Sequence, residues 1–365
     1  MITEERFGAT AVEPADEKEA AAILRNANET GLAVIPTGGG TKLDWGNPPR
    51  KADVLLSMRH QTRVIEHAWA DLTVTVEAGC TIAELQRTLA EHGQRLAIDP
   101  LWPERATVGG VLSTNDSGSL RLGYGALRDL IIGITLVLAD GTIAKSGGKV
   151  VKNVAGYDLP KLATGGLGTL GVITRAVFRL HPLPRNTRTL TITLDNAVDD
   201  PNAMQRVVSS ILGAQLAPAA VQARNGNIDI LLEGTLDGIA AQESAIRKFG
   251  AAREGSPEVW KAREQLWDDG TIVKFTTLPS KISAASASFS RFVIQATGIG
   301  YGRFDGDLQA LRTALEQDGG SLTVLGPSKF DAWGSPGDAL PLMRAVKQQF
   351  DPNSTLNPGR FVGGI

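Results

Sequence analysis

The sequence predicts an α+β protein of two successive domains, and three observations carry that reading. Up to about residue 181, short helices and short strands alternate, as in a layered fold. Pro182-Leu183-Pro184 then breaks the pattern, and two prolines this close mark a domain boundary. Beyond it, two series of strand, helix, strand pair, helix and strand follow each other, the order of a ferredoxin-like β-α-β-β-α-β unit. At 365 residues the chain is long enough for two or three cores.

Taken in order, residues 14–28 combine helix formers, early acidic residues and a closing Gly31, which predicts a helix. A strand over 32–36 leads into Thr37-Gly38-Gly39-Gly40-Thr41-Lys42, and residues 53–57 form another short apolar strand. Residues 72–77 alternate at the strand period. Thr81 and Glu84 make a capping box that opens a helix ending at His92-Gly93. A strand is expected over 96–99, then a glycine-rich stretch over 103–125, then a strand over 130–138 that turns at Asp140-Gly141. Glycine clusters at 153–159 and 164–174 precede a strand over 172–181. In the second half, strands are expected at 189–194, 220–224 and 228–233, with helices at 201–212 and 237–249. The same order recurs over 272–278, 282–292, 293–301, 307–317 and 321–325, although the internal similarity is too weak to be a repeat. Residues 350–361 are turn chemistry rather than helix.

Composition excludes several classes. With 42% hydrophobic and 21% charged residues, the chain is an ordinary globular protein. A net charge of −2 gives no reason to expect a nucleic-acid or anionic-membrane partner. The polar N-terminus does not resemble a signal peptide, and no apolar run approaches the roughly 20 residues of a membrane span. Cys80 is the only cysteine, so an intrachain disulfide and an iron–sulfur cluster held by this chain's own thiolates are both impossible. A cytoplasmic location is the default expectation.

Chemistry gathers at the glycine blocks. Glycines let backbone amides close around a bulky anion, and successive N–H groups make a concave anion site. The first block is therefore either a pyrophosphate cradle or a plain glycine-rich turn between strands. There is no Gly-x-x-x-x-Gly-Lys-Ser/Thr, which removes a Walker-type loop. The first block also lacks Gly-x-Gly-x-x-Gly opening into a helix, which weakens a Rossmann reading. Several such blocks in one domain suit a long ligand that meets the backbone at several points.

Together these blocks resemble the PCMH-type FAD-binding domain of the vanillyl-alcohol oxidase family. The carriers are residues 36–42, Ala106-Thr107-Val108-Gly109-Gly110-Val111-Leu112-Ser113-Thr114-Asn115-Asp116-Ser117-Gly118, Gly156-Tyr157-Asp158-Leu159, Gly168-Thr169-Leu170-Gly171-Val172-Ile173-Thr174 and Asn357-Pro358-Gly359-Arg360. The resemblance implies an FAD-binding domain over 1–184, an α+β ferredoxin-like cap over 185–345, and a tail over 346–365 that returns to the first domain. It implies phosphate contacts from Pro36, Thr37, Gly38, Gly39, Gly40, Thr41 and Lys42. A second wall would come from Thr107, Gly109, Gly110, Thr114, Asn115 and Gly118, with Ile173 at the adenine end and Asn357 near the flavin ring. Some members attach FAD through a histidine in the first loop; Gly40 or Thr41 stands there in this chain, so FAD is expected to be non-covalent.

Within that family the chain is similar to the E-type subunits of bacterial glycolate oxidases, carried by residues 38–46, 152–158 and Asp331-Ala332-Trp333-Gly334. This implies partners: a D-type flavin subunit and an iron–sulfur subunit, oxidising a small 2-hydroxy acid, with any membrane association arising through the complex. The departures bear on mechanism. Related dehydrogenases carry a histidine-rich metal cluster where this chain has Thr297-Gly298-Ile299-Gly300-Tyr301-Gly302-Arg303-Phe304, and the only histidines are His60, His67, His92 and His181. No divalent-metal ligand set and no positioned general base are visible there. Arg263 and Lys274 resemble the pair with which relatives hold a substrate carboxylate. The plainer reading of Arg263, and the favoured one, is a solvated helix charge paired with Glu264 or Asp268.

Overall fold

A computed structural model describes residues 8–148, 157–194, 200–268 and 270–365. The chain divides into two compact units, one of Met1–Ser117, Ala126–Leu183 and Ser335–Ile365, the other of Gly118–Gly125 and Pro184–Gly334.

The first unit begins with β1 (Thr10–Val12), α1 (Glu17–Thr30), β2 (Val34–Thr37) and β3 (Val54–Ser57). The strands form a parallel sheet in the order β1-β3-β2. The Asp16 carboxylate accepts the amides of Lys18 and Glu19 at 2.8 and 2.9 Å, which starts α1. Gly31, at φ 70°, ends it in the left-handed region. Between those caps Ala20, Leu24 and Ala27 recur at helical spacing and are buried with Val34 and Leu56.

The same unit continues through β4 (Val64–Ala68), β5 (Thr73–Glu77), α2 (Ile82–Ala90), β6 (Gln94–Arg95) and α3 (Val108–Thr114). After α4 (Arg121–Tyr124), which belongs to the second unit, come α5 (Leu127–Leu130), β7 (Ile131–Val137), β8 (Ile143–Gly147), α6 (Leu159–Ala163), β9 (Val172–Arg179) and β10 (His181–Pro182). Five of these strands make an antiparallel sheet, β4-β5-β9-β7-β8. The expected strand over 96–99 does not form. The Gln86 side chain serves both backbone groups of Leu96, accepting its N–H at 3.1 Å and donating to its carbonyl at 2.5 Å, so no partner strand is needed.

Cys80 sits in the core under this sheet, fully buried among residues such as Leu85 and Leu112. Burial, with smaller help from the Glu84 and Glu77 charges, pushes its thiol up to about 11. The native state therefore favours the neutral thiol. Stability from this group is complete below the unfolded pKa and is lost as pH rises through about 9 to 11, by about 2–3 kcal/mol. Alkaline unfolding should be steeper in the wild type than in Cys80→Ala, and the folded thiol should resist maleimide at pH 8. Equal pH slopes in the two proteins would contradict this account.

The second unit holds β11 (Asn186–Thr193), α7 (Ala203–Gly213), β12 (Ala220–Arg224), β13 (Asn227–Gly234), α8 (Leu236–Ile246) and β14 (Ala252–Glu254). The second half repeats the pattern with β15 (Thr271–Thr276), α9 (Ile282–Ser286), β16 (Arg291–Gln295), β17 (Ile299–Phe304), α10 (Leu308–Gln317) and β18 (Ser321–Leu325). One eight-stranded antiparallel sheet results, in the order β14-β11-β13-β12-β16-β17-β15-β18. Each half has the ferredoxin-like order 4-1-3-2, and the β12–β16 pairing fuses them. The strand pair expected over 293–301 spans Arg291–Gln295 and Ile299–Phe304, and the chain turns between the two strands at Gly298, φ 85°. On β17, Gly300 and Gly302 lie beneath Phe275 and Phe289, whose rings stack at 4.6 Å. A side chain at either glycine would overlap a ring, so this Gly-x-Gly spacing serves packing.

The chain then re-enters the first unit with α11 (Leu340–Phe350). The second unit therefore ends at Gly334 rather than at residue 345. The physical reason lies on α11 itself: Lys347 donates to the Thr169 and Leu356 carbonyls at 2.8 and 3.0 Å. Among the described residues no helix is long and apolar enough to cross a membrane.

Candidate functional site

β2 hands the chain to the first glycine block, which lines a cleft built wholly from the first unit. The Thr37 carbonyl still accepts Met58 N–H at 2.8 Å. Past it, the amides of Gly38, Gly39, Gly40 and Thr41 donate to no acceptor among the described residues. The Thr37 hydroxyl is buried and has no partner either. Polar groups in such positions ordinarily find partners. A row of N–H donors and a hydroxyl without protein acceptors suits an anion with several oxygens.

The second block behaves differently. Val108 and Gly109 donate to the Cys80 and Ala78 carbonyls at 2.9 and 2.8 Å, and Gly110 to the Thr107 hydroxyl at 3.3 Å. Those amides fix α3, and the block gives the cleft shape rather than donors. The two blocks touch directly. A β-carbon on Gly38 would overlap the Thr107 hydroxyl, and one on Gly39 the Arg105 carbonyl oxygen. These glycines answer a close backbone approach, which a plain turn does not require.

Lys42 lines the cleft, and its ammonium also has protein partners. Its ammonium lies 3.2 Å from the Asp116 carboxylate and 3.3 Å from the Leu101 carbonyl, with 4% of the Lys42 side chain and none of that of Asp116 exposed. The Trp45 and Trp102 rings flank it at 5.8 and 5.5 Å. Its charge is matched inside the protein although the residue borders the cleft.

The third side brings Leu167, Gly168, Gly171 and Ile173 to the cleft, together with Asn357 from the tail. Asn357 is buried, at φ 46°, and donates its side-chain amide to the Leu167 carbonyl at 2.5 Å. Its backbone N–H reaches the Val34 carbonyl at 2.9 Å, so the tail runs beside β2. Arg360 donates to the Leu43 and Trp45 carbonyls at 2.6 and 2.8 Å, which ties the tail to the first block.

Thirteen of the fifteen expected cofactor residues line this one cleft; Asn115 and Gly118 do not. Asn115 is the left-handed cap of α3, and its side chain packs beside Gly165. Gly118 already belongs to the second unit. The Thr114 hydroxyl turns back to the Gly110 carbonyl at 2.8 Å. Gly156 of the third resemblance block, and residues 152–156 of the stretch shared with the E-type subunits, lie outside the described residues. Met58, Ala78, Ser113 and Arg360 also line the cleft but were not expected there. Arg360 was signalled by its place in Asn357-Pro358-Gly359-Arg360 and Ser113 by its place in the second block; Met58 and Ala78 carry no local signal.

In the second unit, Arg263 is not a solvated charge. It is buried, 6% exposed, with its guanidinium 4.9 Å above the Tyr301 ring. Lys274 pairs across the strands with Tyr301 and places its ammonium 6.0 Å from the same ring. The Tyr301 hydroxyl is buried without a partner among the described residues.

The cleft encloses about 700 Å³ of empty space, its open mouth included, within the usual range for small-molecule sites. Unmatched amides, the free Thr37 hydroxyl and glycines pressed to contact together fit a dinucleotide diphosphate. Comparison with known proteins agrees. Residues 9–147 match the family described as FAD binding domain, and residues 335–361 the family described as FAD linked oxidases, C-terminal domain. Glycolate oxidase subunit GlcD of Bacillus subtilis (strain 168) is 34% identical over 58% of this chain and 44% of its own length. A D-lactate dehydrogenase of Archaeoglobus fulgidus is 38% identical over 55% of this chain and 45% of its own. The chain thus spans somewhat under half the length of these two relatives. A mitochondrial cytochrome-dependent D-lactate dehydrogenase of Arabidopsis thaliana is 27% identical over 96% of this chain and 72% of its own length. Among solved structures, an alkyldihydroxyacetonephosphate synthase aligns over 95% of this chain and 75% of that chain, with TM-score 0.69 and 20% identity. That likeness shows the fold. The chain has the PCMH-type FAD-binding fold, residues 9–147 match the FAD binding domain, and FAD is its cofactor.

Proposed function

We propose that this FAD-linked oxidase homologue is the E-type subunit of a heteromeric glycolate oxidase, acting with a D-type flavin subunit and an iron–sulfur subunit. The observation that carries the reading is the chemistry of the second unit. Residues 184–334 contain no histidine. The one buried carboxylate among their described residues, Asp229, is held by Arg224 at 2.7 and 3.2 Å. Neither supplies the general base that removal of a 2-hydroxyl proton calls for, so that step falls to the D-type partner. Bound FAD supplies two-electron acceptance, and this chain contributes the binding and orientation of it. With Cys80 as its only thiol, onward transfer to an iron–sulfur centre requires another chain. Similarity to a protein named as a glycolate oxidase subunit supports the substrate class. The location is cytoplasmic, at the membrane only through the assembly.

A second reading has its own support. Buried Arg263, half-buried Lys274 and the Tyr301 hydroxyl, without a partner among the described residues, form a set suited to a small carboxylate. This favours a chain that oxidises a 2-hydroxy acid without a partner.

One preparation separates the two. The purified chain should be yellow, release its FAD on denaturation, and reduce a dye with glycolate only when the two partners are added. Co-purification with both partners and a flavin count per assembly completes the test. A chain that cannot be loaded with FAD would sink both readings, and rapid glycolate turnover by the chain alone would establish the second.

A further inference from the structure

The two glycine blocks are distant in sequence, yet one buried ion pair joins them. The Lys42 ammonium, at the end of the first block, contacts the Asp116 carboxylate at 3.2 Å, at the end of the second. The Asp116 oxygen that meets it also accepts Leu101 N–H at 2.8 Å. Lys42 further donates to the Thr41 hydroxyl and the Leu101 carbonyl, both at 3.3 Å. Two indole rings close over the ammonium, a desolvated setting in which a cation without a counter-charge is strongly disfavoured. Meanwhile the amides of Gly38 to Thr41, on the same wall, lack acceptors among the described residues.

We propose that Lys42 is a positioning residue rather than a diphosphate ligand: with Asp116 it forms a buried ion-pair lock that holds the two glycine blocks at the spacing FAD requires. The diphosphate charge is then met by backbone amides and the Thr37 hydroxyl. The inference rests on FAD binding in this cleft and adds a division of labour within it.

A double-mutant cycle on the full-length chain tests it, read by FAD titration of the apoprotein and by apoprotein melting. Lys42→Met and Asp116→Asn should each weaken FAD binding by about 10-fold or more and lower the apoprotein melting temperature, since each removes one side of a buried ion pair. The double variant, with neither charge, should return to within about 3-fold of the wild type. If Lys42 is instead a ligand, Lys42→Met will cost the same factor in either background, and Asp116→Asn will tighten FAD binding. Either result overturns the lock. Lysine acetylation mapped by mass spectrometry gives a check on the unmutated chain. A locked Lys42 reacts slowly and equally with and without FAD; fast reaction in the apoprotein, suppressed by FAD, contradicts the proposal. A chain that takes up no FAD at all fails the functional reading instead, while melting and labelling still report on the lock.

Discussion

Gly39→Ala should abolish stable FAD binding, raising the dissociation constant by about 100-fold or more, equivalent to roughly 3 kcal/mol. The added methyl would occupy the position of the Arg105 carbonyl oxygen, with the carbonyl carbon 2.9 Å away. A flexible side chain could swing aside, but a backbone carbonyl held between Trp102 and Thr107 cannot. Arg105 N–H already donates to the Trp102 carbonyl at 2.9 Å, and Thr107 caps α3. The first block must therefore lift away from the second, and the row of amides moves off the ligand oxygens. Overpacking of this kind costs about 1–3 kcal/mol even where relief is available. Gly213→Ala is the control, since nothing lies within 4 Å of its β-carbon position. Isothermal titration of the apoprotein reads both, and a Gly39→Ala chain that keeps its flavin would show that the blocks do not meet as described.

That contact also shows what the sequence could and could not reveal. Glycines mark their own positions, because an approach that excludes a side chain leaves only one residue type possible. Three blocks and the tail were legible for that reason, as were the Gly31 stop of α1 and the Asp140-Gly141 turn, whose chemistry is local. The doubled ferredoxin-like order was legible from periodicity. Its fusion into one sheet through β12 and β16 was not, since strand pairing at that distance has no local signature.

The charges were the least legible part of the site. Lys42 beside a glycine block reads as a phosphate cation, and only folding brings Asp116 to it across residues distant in the chain. Arg263, flanked by Glu264, reads as a solvated helix charge. The fold instead lays it over Tyr301, a residue on a strand formed much later in the chain. Gly118 is the converse case: it continues a glycine motif but belongs to the other unit. In each case the deciding partner is remote, and local pattern carries no information about it.

The tail holds a second buried ion pair, this one between residues four apart, and breaking that contact should be the largest single loss of stability. The Lys347 ammonium is buried against the Asp351 carboxylate at 2.6 Å, and that carboxylate also accepts Thr355 and Leu356 N–H at 2.9 and 2.7 Å. Burial lowers the pKa of Lys347, and Asp351 opposes that shift by favouring the charged form. Asp351→Asn removes the counter-charge and leaves a buried ammonium, at a cost of about 3–5 kcal/mol. The same change loosens the segment that carries Asn357 and Arg360 to the cleft, so flavin should be released before the core melts. The pH dependence identifies the cause. A lysine whose native pKa lies below its unfolded value binds fewer protons when folded, so stability rises with pH across that window. With Asp351 gone the native pKa falls further, and the deficit of Asp351→Asn relative to wild type should shrink as pH is raised from 7 towards 9. Denaturant titrations of both proteins at each pH provide the measurement. A deficit that stays constant would mean that lost hydrogen bonds to the tail, and not a stranded ammonium, account for the damage.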